Sequence, residues 1–267
     1  MFELITIGDT TTDVFLDITE EGHTMCKKNN TDCQICFPYG AKIPVKHIAT
    51  VHGAGNAANV AIGAARLGLR TAIYTVLGGD DRGREVRSVF KKEHISRTYV
   101  VEDRKGSTNY STILNYTDDR TIFAYHAERV YRLPKLKKSR CVYFSSISGN
   151  HLEFQASLLA HVKATKTPLA FNPGSRQMRL GVRALMPVLA ATEILFVNRD
   201  EAIILAGKGT MPKLFEKLHA LGPSIVNITD GAAGAYASDR SGIHHCPVVD
   251  VPVVQRTGCG DASASGF

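Results

Sequence analysis

The chain has 267 residues, 44% of them hydrophobic, which is enough to bury a core as one large domain or as one domain with a small addition. Its formal net charge of +7 comes from basic residues that are spread along the chain. Because there is no basic stripe with interleaved aromatic residues, the sequence argues against a nucleic-acid partner. A basic surface of this kind is either an ordinary solvated surface or one that attracts small anionic ligands.

Nothing in the sequence indicates a membrane or secreted protein. Residues 1–8 lack the basic start and long apolar run of a signal peptide. No apolar run approaches the roughly 18 to 20 residues of a membrane span. We therefore expect a cytoplasmic protein whose six cysteines are reduced.

The first predicted strand covers residues 3–8 and is followed by a polar loop that contains Asp13 and by a second strand over 14–18. Open α/β sheets bind ligands at the carboxyl ends of their strands, so Asp13 is a candidate to accept hydrogen bonds from sugar hydroxyls. An ordinary loop or turn aspartate is an equally good interpretation.

Residues 19–47 are polar, lack helical periodicity and carry three cysteines, Cys26, Cys33 and Cys36, in a C-x6-C-x2-C pattern. A C-x2-C pair in a tight turn can hold a metal, and His23 or His47 could complete a structural zinc site. A second C-x2-C pair is absent, so free thiols in a small β excursion are the alternative.

Residues 51–70 predict a buried helix that ends at Gly68 and begins in small residues, where Gly55 lets the backbone approach a ligand closely. Asn56 and Asn59 lie three residues apart on its first turn, so both can face one ligand. The alternative is that Asn56 caps the helix and the small residues pack against a sheet.

The next predicted elements are a strand over 71–77, a helix that ends near residue 94, a strand over 97–101 and an antiparallel hairpin over 106–126. With residues 14–18 and 35–45, the hairpin predicts a small β lid formed by about 14–47 and 106–126. Exposed β edges invite pairing, so this lid is also a candidate homodimer interface.

After residue 140 strands and helices alternate, which predicts a mostly parallel sheet with helices on both faces. The loops 198–201, 229–234 and 257–261 all follow strands and can therefore meet at one crevice. In the first loop, Glu201 is either a Mg²⁺ ligand, directly or through water, or a solvated charge in the first turn of a helix. The second loop, with Thr229, Gly231 and Gly234, is either a place where nucleotide phosphates approach or a simple hairpin turn.

The third of these loops carries the clearest chemical signal. Residues 251–254 predict a strand, and Gly258-Cys259-Gly260 predicts a turn that opens a helix and leaves backbone N–H groups unpaired, which forms an anion site. A carboxylate beside an anion site suggests chemistry on a phosphate, with Asp261 taking a proton from the attacking hydroxyl. The alternative is a glycine turn in which Asp261 caps the helix.

In their order and spacing these motifs resemble the PfkB family of ribokinase-like carbohydrate kinases, over nearly the whole chain apart from residues 19–47. The resemblance implies a ribokinase-like three-layer α/β/α kinase domain over 1–267, with a mostly parallel central sheet and a small β-sheet lid that covers the sugar. It implies phosphorylation of a sugar or nucleoside hydroxymethyl group by ATP with Mg²⁺. The implied residues are Asp261 as general base, the amides of Gly258, Cys259 and Gly260 as anion hole, Asp13, Gly55, Asn56 and Asn59 for the sugar, Asn198, Thr229, Gly231 and Gly234 for the nucleotide, and Glu201 for Mg²⁺.

The chain departs from the family pattern in several places. The pair Ala54-Gly55 stands where two glycines are common, and Gln255-Arg256 replaces the acidic residue that helps hold potassium in some relatives. The chain also ends six residues after Asp261, where relatives continue, so we expect the C-terminal elements of the fold to be missing. The alternative function is therefore a truncated, catalytically impaired sugar-binding pseudokinase fragment. A dinucleotide-binding dehydrogenase is disfavoured, because the first strand is not followed by G-x-G-x-x-G.

Overall fold

The computed structural model describes residues 1–19, 24–29, 32–116, 119–251 and 257–267. The strands are β1 (Phe2–Ile7), β2 (Thr11–Ile18), β3 (Thr24–Asn29), β4 (Asp32–Cys36), β5 (Val45–Ala54), β6 (Thr71–Gly78), β7 (Ser96–Asp103), β8 (Asn109–Tyr116), β9 (Asp119–Tyr125), β10 (Ser139–Phe144), β11 (Leu169–Phe171), β12 (Ile194–Asn198), β13 (Ile225–Thr229), β14 (Ala235–Asp239) and β15 (Gly242–Cys246). The helices are α1 (Asn56–Arg66), α2 (Asp81–Lys92), α3 (His151–Thr165), α4 (Ser175–Met178), α5 (Val182–Ala190), α6 (Arg199–Ala206), α7 (Met211–Ala220) and α8 (Cys259–Gly266).

A nine-stranded sheet in the order β15-β14-β13-β12-β11-β10-β1-β6-β7 forms the centre of the described part of the chain. Its strands pair in parallel from β7 to β13, and only β14 and β15 at one edge run antiparallel. The central strands are runs of buried apolar residues, which is typical of a sheet covered on both faces; β6 is buried along its whole length. The predicted mostly parallel α/β sheet is confirmed.

The two faces of this sheet carry separate hydrophobic clusters. On one face, α1 and α2 pack on β6 through small and aliphatic residues such as Ala58, Ala61 and Leu77. On the other face, a larger cluster joins strands β1, β10 and β11 to α3, α5, α6 and α7. The smallest helix of the first face, α8, packs along α1, where a side chain on Gly63 would overlap Ser265. Small residues in α1 therefore allow these two helices to approach closely.

A second sheet has four strands in the order β5-β2-β8-β9, and β3 pairs with β4 in a separate two-stranded hairpin. The predicted antiparallel pairing of β8 with β9 is confirmed. The third lid segment differs from the expectation: residues 35–36 belong to the separate hairpin, and β5 instead joins the lid. β5 leads directly into α1 through Gly53 and Gly55, which both have positive φ. This short connection is the local reason why β5, and not residues 35–36, lies in the lid.

The strand predicted over 251–254 falls almost entirely on residues 252–256, which lie outside the described part of the chain. Among the helices that the structure describes, none combines the length and the hydrophobicity that crossing a membrane requires.

Candidate active site

A cavity of about 120 Å³ lies where β11, β12 and β13 end, beside the start of α8. Four asparagines and two carboxylates supply most of its polar surface. Its lining residues are Asn56, Tyr143, Asn172, Phe196, Val197, Asn198, Glu201, Asn227, Thr229, Gly260, Asp261 and Ala264. The crevice that the sequence predicts between the loops 198–201, 229–234 and 257–261 is therefore present, and α1 closes its side through Asn56.

The first turn of α8 has free backbone donors. Gly258 is the N-cap residue and adopts a left-handed conformation with φ +83°, which glycine adopts without steric cost. The first N–H groups of any helix have no intrahelical acceptor. Within the described residues no side chain caps α8 in their place. A Cβ atom at Gly258 or Gly260 would meet no atom of the described residues within 4 Å, so the described part of the chain leaves space next to this turn. This is the arrangement that an anion site requires; anion binding by residues 258–260 stays a prediction.

Asp261 lies on the first turn of α8, and its carboxylate faces α1. Asn59 Nδ2 donates a hydrogen bond of 2.7 Å to Asp261 Oδ2, which joins two residues that are 202 positions apart in the sequence. Burial raises the pKa of Asp261, and the hydrogen bond from Asn59 lowers it in part. Among the described residues Asp261 Oδ1 has no hydrogen-bond partner, and Asp261 lines the cavity. One carboxylate oxygen is therefore held while the group faces the space where a ligand would bind.

The two asparagines of α1 have different partners. Asn56 Nδ2 donates to Asn172 Oδ1 over 2.7 Å, and Asn172 Nδ2 donates in turn to the carbonyl oxygen of Phe196 over 2.8 Å. Asn56 therefore reaches the cavity, whereas Asn59 reaches Asp261. Asn56 is the first residue of the helix and not its cap, because the N-cap position is Gly55 and no side-chain cap is present there.

Gly55 and Asp13 lie on the lid side of this arrangement. A Cβ atom on Gly55 would come within 2.8 Å of the backbone oxygen of Asp9, so only glycine fits this close approach. Asp13 lies inside β2 and not in the loop that the sequence predicts. Thr11 Oγ1 donates to Asp13 Oδ1, and burial raises the pKa of Asp13 while hydrogen bonds from Thr11 and Ser111 lower it in part. Neither residue is among those that line the cavity.

Asn198 and Glu201 form a reciprocal cap at the start of α6. Glu201 N donates to Asn198 Oδ1 over 2.8 Å, and Asn198 N donates to Glu201 Oε2 over 2.9 Å. Burial raises the pKa of Glu201; the bond from Asn198 N lowers it, and the nearby charges of Asp200 and Asp261 raise it further. The cap leaves Glu201 Oε1 and the Asn198 side-chain NH₂ outside these two bonds, so both are available to a ligand in the cavity.

The loop after β13 forms a short 3₁₀ turn over Gly231–Ala233 and leads into the antiparallel strand β14. It is thus a hairpin turn in its topology, yet Thr229 at its start lines the cavity. Gly231 has φ +52°, and no atom of the described residues lies within 4 Å of where its Cβ would be, whereas a side chain on Gly234 would overlap the backbone of Cys246. Gly231 is therefore the glycine of this loop that leaves room for a ligand, and Gly234 is required by the fold.

The proposed zinc ligands lie on the β3–β4 hairpin. Cys33 and Cys36 are on the extended strand β4 and not in the tight turn that a C-x2-C metal site favours. Cys36 is exposed, and the side chains of Cys26 and Cys33 lie outside the described part of the chain. Among the residues that the structure does describe, no three His, Cys, Asp or Glu side chains converge where a metal ion could bind.

Among the polar residues of the cavity, sequence reasoning missed three, Tyr143, Asn172 and Asn227. Asn172 directly follows β11, and a polar residue at a strand end is a signal that could have been used. Asn227 interrupts an otherwise apolar central strand, which is a second usable signal because buried polar groups need partners. Tyr143 carries no such signal, since an aromatic residue in a buried strand is ordinary.

The chain belongs to the pfkB family: the pattern described as pfkB family carbohydrate kinase matches residues 22–267. The predicted family and the predicted kinase class are therefore confirmed. Members of this family are phosphotransferases, and this chain is a kinase of the same class.

Individual relatives agree with this assignment. A nucleoside kinase from Methanothermobacter thermautotrophicus is 26% identical over 232 residues, which span 84% of this chain and 72% of the relative. The crystal structure of Methanocaldococcus jannaschii nucleoside kinase matches with a TM-score of 0.78 and 17% identity, covering 99% of this chain and 83% of that one. Arabidopsis thaliana ribokinase, solved with ribose and ATP, matches with a TM-score of 0.78 and 18% identity, covering 99% and 84%. The two structures show that the chain has the ribokinase-like fold.

Proposed function

We propose that this protein transfers the γ-phosphoryl group of ATP to a hydroxymethyl group of a sugar or nucleoside. The observation that carries the proposal is the 2.7 Å bond between Asn59 and Asp261 at the uncapped start of α8. It holds a candidate base beside candidate anion donors, and phosphoryl transfer requires both within reach of one reacting group. The names of the relatives support the substrate class, since they act on nucleosides and ribose.

In this mechanism Asp261 accepts the proton of the attacking hydroxyl. Its raised pKa suits that role, because a base is most effective when its pKa lies near the working pH. Asn59 fixes the orientation of the carboxylate by holding Oδ2, so that Oδ1 is the oxygen that takes the proton. The N–H groups of residues 258–260 stabilise the charge on the transferring phosphoryl group. The Cys259 side chain is exposed and leaves its own N–H in place.

The sugar lies between α1 and the lid. Asp13, Gly55, Asn56 and Asn59 are its proposed contacts, with Gly55 allowing the backbone to approach and the polar groups binding hydroxyls. Asn56 is engaged with Asn172, so a sugar that bonds Asn56 does so through the atoms that this pair leaves free. The lid excludes water, which would otherwise compete as phosphoryl acceptor.

The nucleotide binds on the other side of the cavity through Asn198, Thr229, Gly231 and Gly234. The donor set fits Mg²⁺. Of the two carboxylates that line the cavity, Asp261 is the proposed base and Glu201 remains for the ion, and Mg²⁺ in phosphoryl-transfer sites is held by one or two carboxylates together with phosphates and water. When bound, the ion neutralises charge on the phosphates. Asn198 orients Glu201 through the reciprocal cap and offers its NH₂ group to a phosphate oxygen.

The test is ADP release by the purified chain with ATP and Mg²⁺ over a panel of sugars and nucleosides. Turnover that requires a particular acceptor supports the proposal. Acceptor binding in calorimetry without turnover on any acceptor would instead favour the pseudokinase alternative. If neither binding nor turnover is found with any member of the panel, both functions are refuted for this chain.

We also propose that two copies pair through the outer face of the lid. The register places Ile48, Phe123 and Tyr125 on the face opposite to Asp13, and each of them is about half exposed or more. Large exposed apolar side chains on a β-sheet favour association. Light scattering of the purified chain distinguishes a dimer from a monomer.

A further inference from the structure

Asn227 is a buried polar residue that the proposed catalytic roles leave unused. It lies in the middle of β13, pairs with Phe196 across to β12, and is 4% exposed. Its Oδ1 atom is buried and has no hydrogen-bond partner among the residues that the structure describes. Burying an amide without a partner costs about 1–3 kcal/mol, so an orphaned group of this kind calls for an explanation.

The position of Asn227 explains why its side-chain oxygen is left without a partner. It lines the cavity two residues before Thr229, on the same face of the sheet and one layer deeper. Asn172 already bonds both Asn56 and Phe196, whereas the hydroxyl of Tyr143 also lacks a partner among the described residues. The Asn227 oxygen is thus an open acceptor that, unlike the Tyr143 hydroxyl, has no proton to donate, in a cavity that also contains the carboxylates of Glu201 and Asp261.

The charge of the cavity decides between two kinds of ligand for that oxygen. Two carboxylates and a set of neutral amides line it, and the described lining contains no Lys, Arg or His. An acceptor oxygen beside carboxylates binds a cation or the water molecules of a cation, whereas it would repel a phosphate oxygen. Because Mg²⁺ keeps several of its waters in protein sites, a neutral oxygen deeper than Glu201 suits one of those waters.

We propose that Asn227 is a positioning residue for the divalent cation, with its side-chain oxygen accepting a hydrogen bond from the hydrated ion that Glu201 binds. This inference rests on the proposed function, because that function brings a divalent cation to the cavity. It adds a residue from β13 to Glu201 of α6, so that the ion is held from a helix and from a neighbouring strand.

The experiment measures Mn²⁺ binding by electron paramagnetic resonance, with Mn²⁺ alone and with a non-hydrolysable ATP analogue. Asn227→Leu keeps the volume and removes the oxygen, and we expect Mn²⁺ to bind about 10-fold more weakly, the lower end of what loss of an outer-shell partner causes. Asn227→Asp retains an oxygen and adds a charge, so it should bind Mn²⁺ at least as tightly as the parent chain. Glu201→Gln should lose most of the Mn²⁺ binding.

The matched control is Thr75→Val. Thr75 is also fully buried on a central strand, its hydroxyl also lacks a partner among the described residues, and it does not line the cavity. The Mn²⁺ affinity of Thr75→Val should equal that of the parent chain. This control separates the effect of losing any buried polar group from the effect of losing the Asn227 amide. Thermal melts of every variant establish that each is folded, and Asn227→Leu should melt no lower than the parent because it removes an unpaired buried amide.

Three outcomes would overturn the inference. Mn²⁺ binding by folded Asn227→Leu within twofold of the parent would do so, as would loss of Mn²⁺ binding in folded Asn227→Asp. The third is weaker binding of the ATP analogue without metal, which would show that the amide contacts a phosphate. Because Mn²⁺ binding needs neither acceptor nor turnover, a chain without kinase activity would refute the proposed function and leave this test valid.

Discussion

Replacing Asp261 with asparagine separates catalysis from binding in the proposed active site. The substitution keeps the shape of the side chain, and an asparagine oxygen can still accept the hydrogen bond from Asn59 Nδ2. It removes the group that takes the proton. We therefore expect turnover to fall steeply while acceptor and nucleotide binding change little.

The size of the effect follows from the role. A positioned general base contributes about 10²- to 10⁴-fold to a rate, and each factor of ten corresponds to about 1.4 kcal/mol of activation free energy. The loss in kcat for Asp261→Asn should therefore lie between about 100- and 10,000-fold, or about 3–5.5 kcal/mol. Since the interaction is made with a proton that moves in the transition state, kcat should fall and the acceptor Kd should stay within about threefold.

The stability of the same variant gives an independent check with a definite sign. Burial raises the pKa of Asp261 in the folded chain above its unfolded value. The stability that this group contributes is therefore fully present below the unfolded pKa and is lost as the pH rises through the folded pKa. Asparagine does not ionise, so the variant does not lose stability as the pH rises. It should therefore melt at or above the melting temperature of the parent at pH 7, and the difference in melting temperature should disappear near pH 4.

The assay is ADP release at saturating ATP, with acceptor binding by calorimetry and melting followed by circular dichroism. Glu216→Gln is the matched control, because it neutralises an exposed carboxylate on α7 and should change none of these quantities. If the variant keeps more than about a tenth of the parent kcat, Asp261 is not the general base. A variant that loses acceptor binding together with turnover would show that Asp261 holds the substrate instead.

Three further predictions concern pH, packing and assembly. The parent kcat/KM should fall as the pH drops through the raised pKa of Asp261, and a profile that stays flat down to about pH 4, near the ordinary pKa of an aspartate, would contradict a carboxylate base. Gly63→Val should force α8 away from α1 at Ser265, costing about 1–3 kcal/mol in denaturant unfolding and lowering kcat; unchanged values of both would mean that this contact is unimportant. Phe123→Asp should turn a dimer into a monomer in light scattering while the chain stays folded, and a variant that remains dimeric would place the interface elsewhere.

Much of the main sheet was predictable because its signals are local. Buried apolar runs of strand length alternate with amphipathic helices; β6 lies within one residue of its predicted bounds, and α1 ends within two residues of its predicted end. Right-handed parallel connections then leave few arrangements of the strands. The meeting of the three loops at one cavity follows from the same rule, since the carboxyl ends of parallel strands share one edge.

The elements that escaped prediction lack such local signals. The sequence of β5 mixes polar and apolar residues without a clear pattern, and most of its residues are exposed, so only its pairing with β2 identifies it as a strand. The β14–β15 hairpin at the edge of the sheet likewise has many exposed residues. Within the site, the roles of Asn172 and Asn227 depend on the register between three strands that come from distant parts of the chain. No single stretch of sequence contains that information.

The electrostatics of the candidate site favour ligand binding over the stability of the free chain. Burial raises the pKa of Asp13, Glu201 and Asp261. At neutral pH, where these groups are ionised, each of them therefore lowers the stability of the folded chain relative to a fully solvated carboxylate. A cation beside Glu201 would lower its pKa and restore that stability. Binding of Mg²⁺ with a nucleotide should therefore raise the melting temperature more at pH 8 than at pH 5, and the opposite order would mean that these carboxylates do not face the ion.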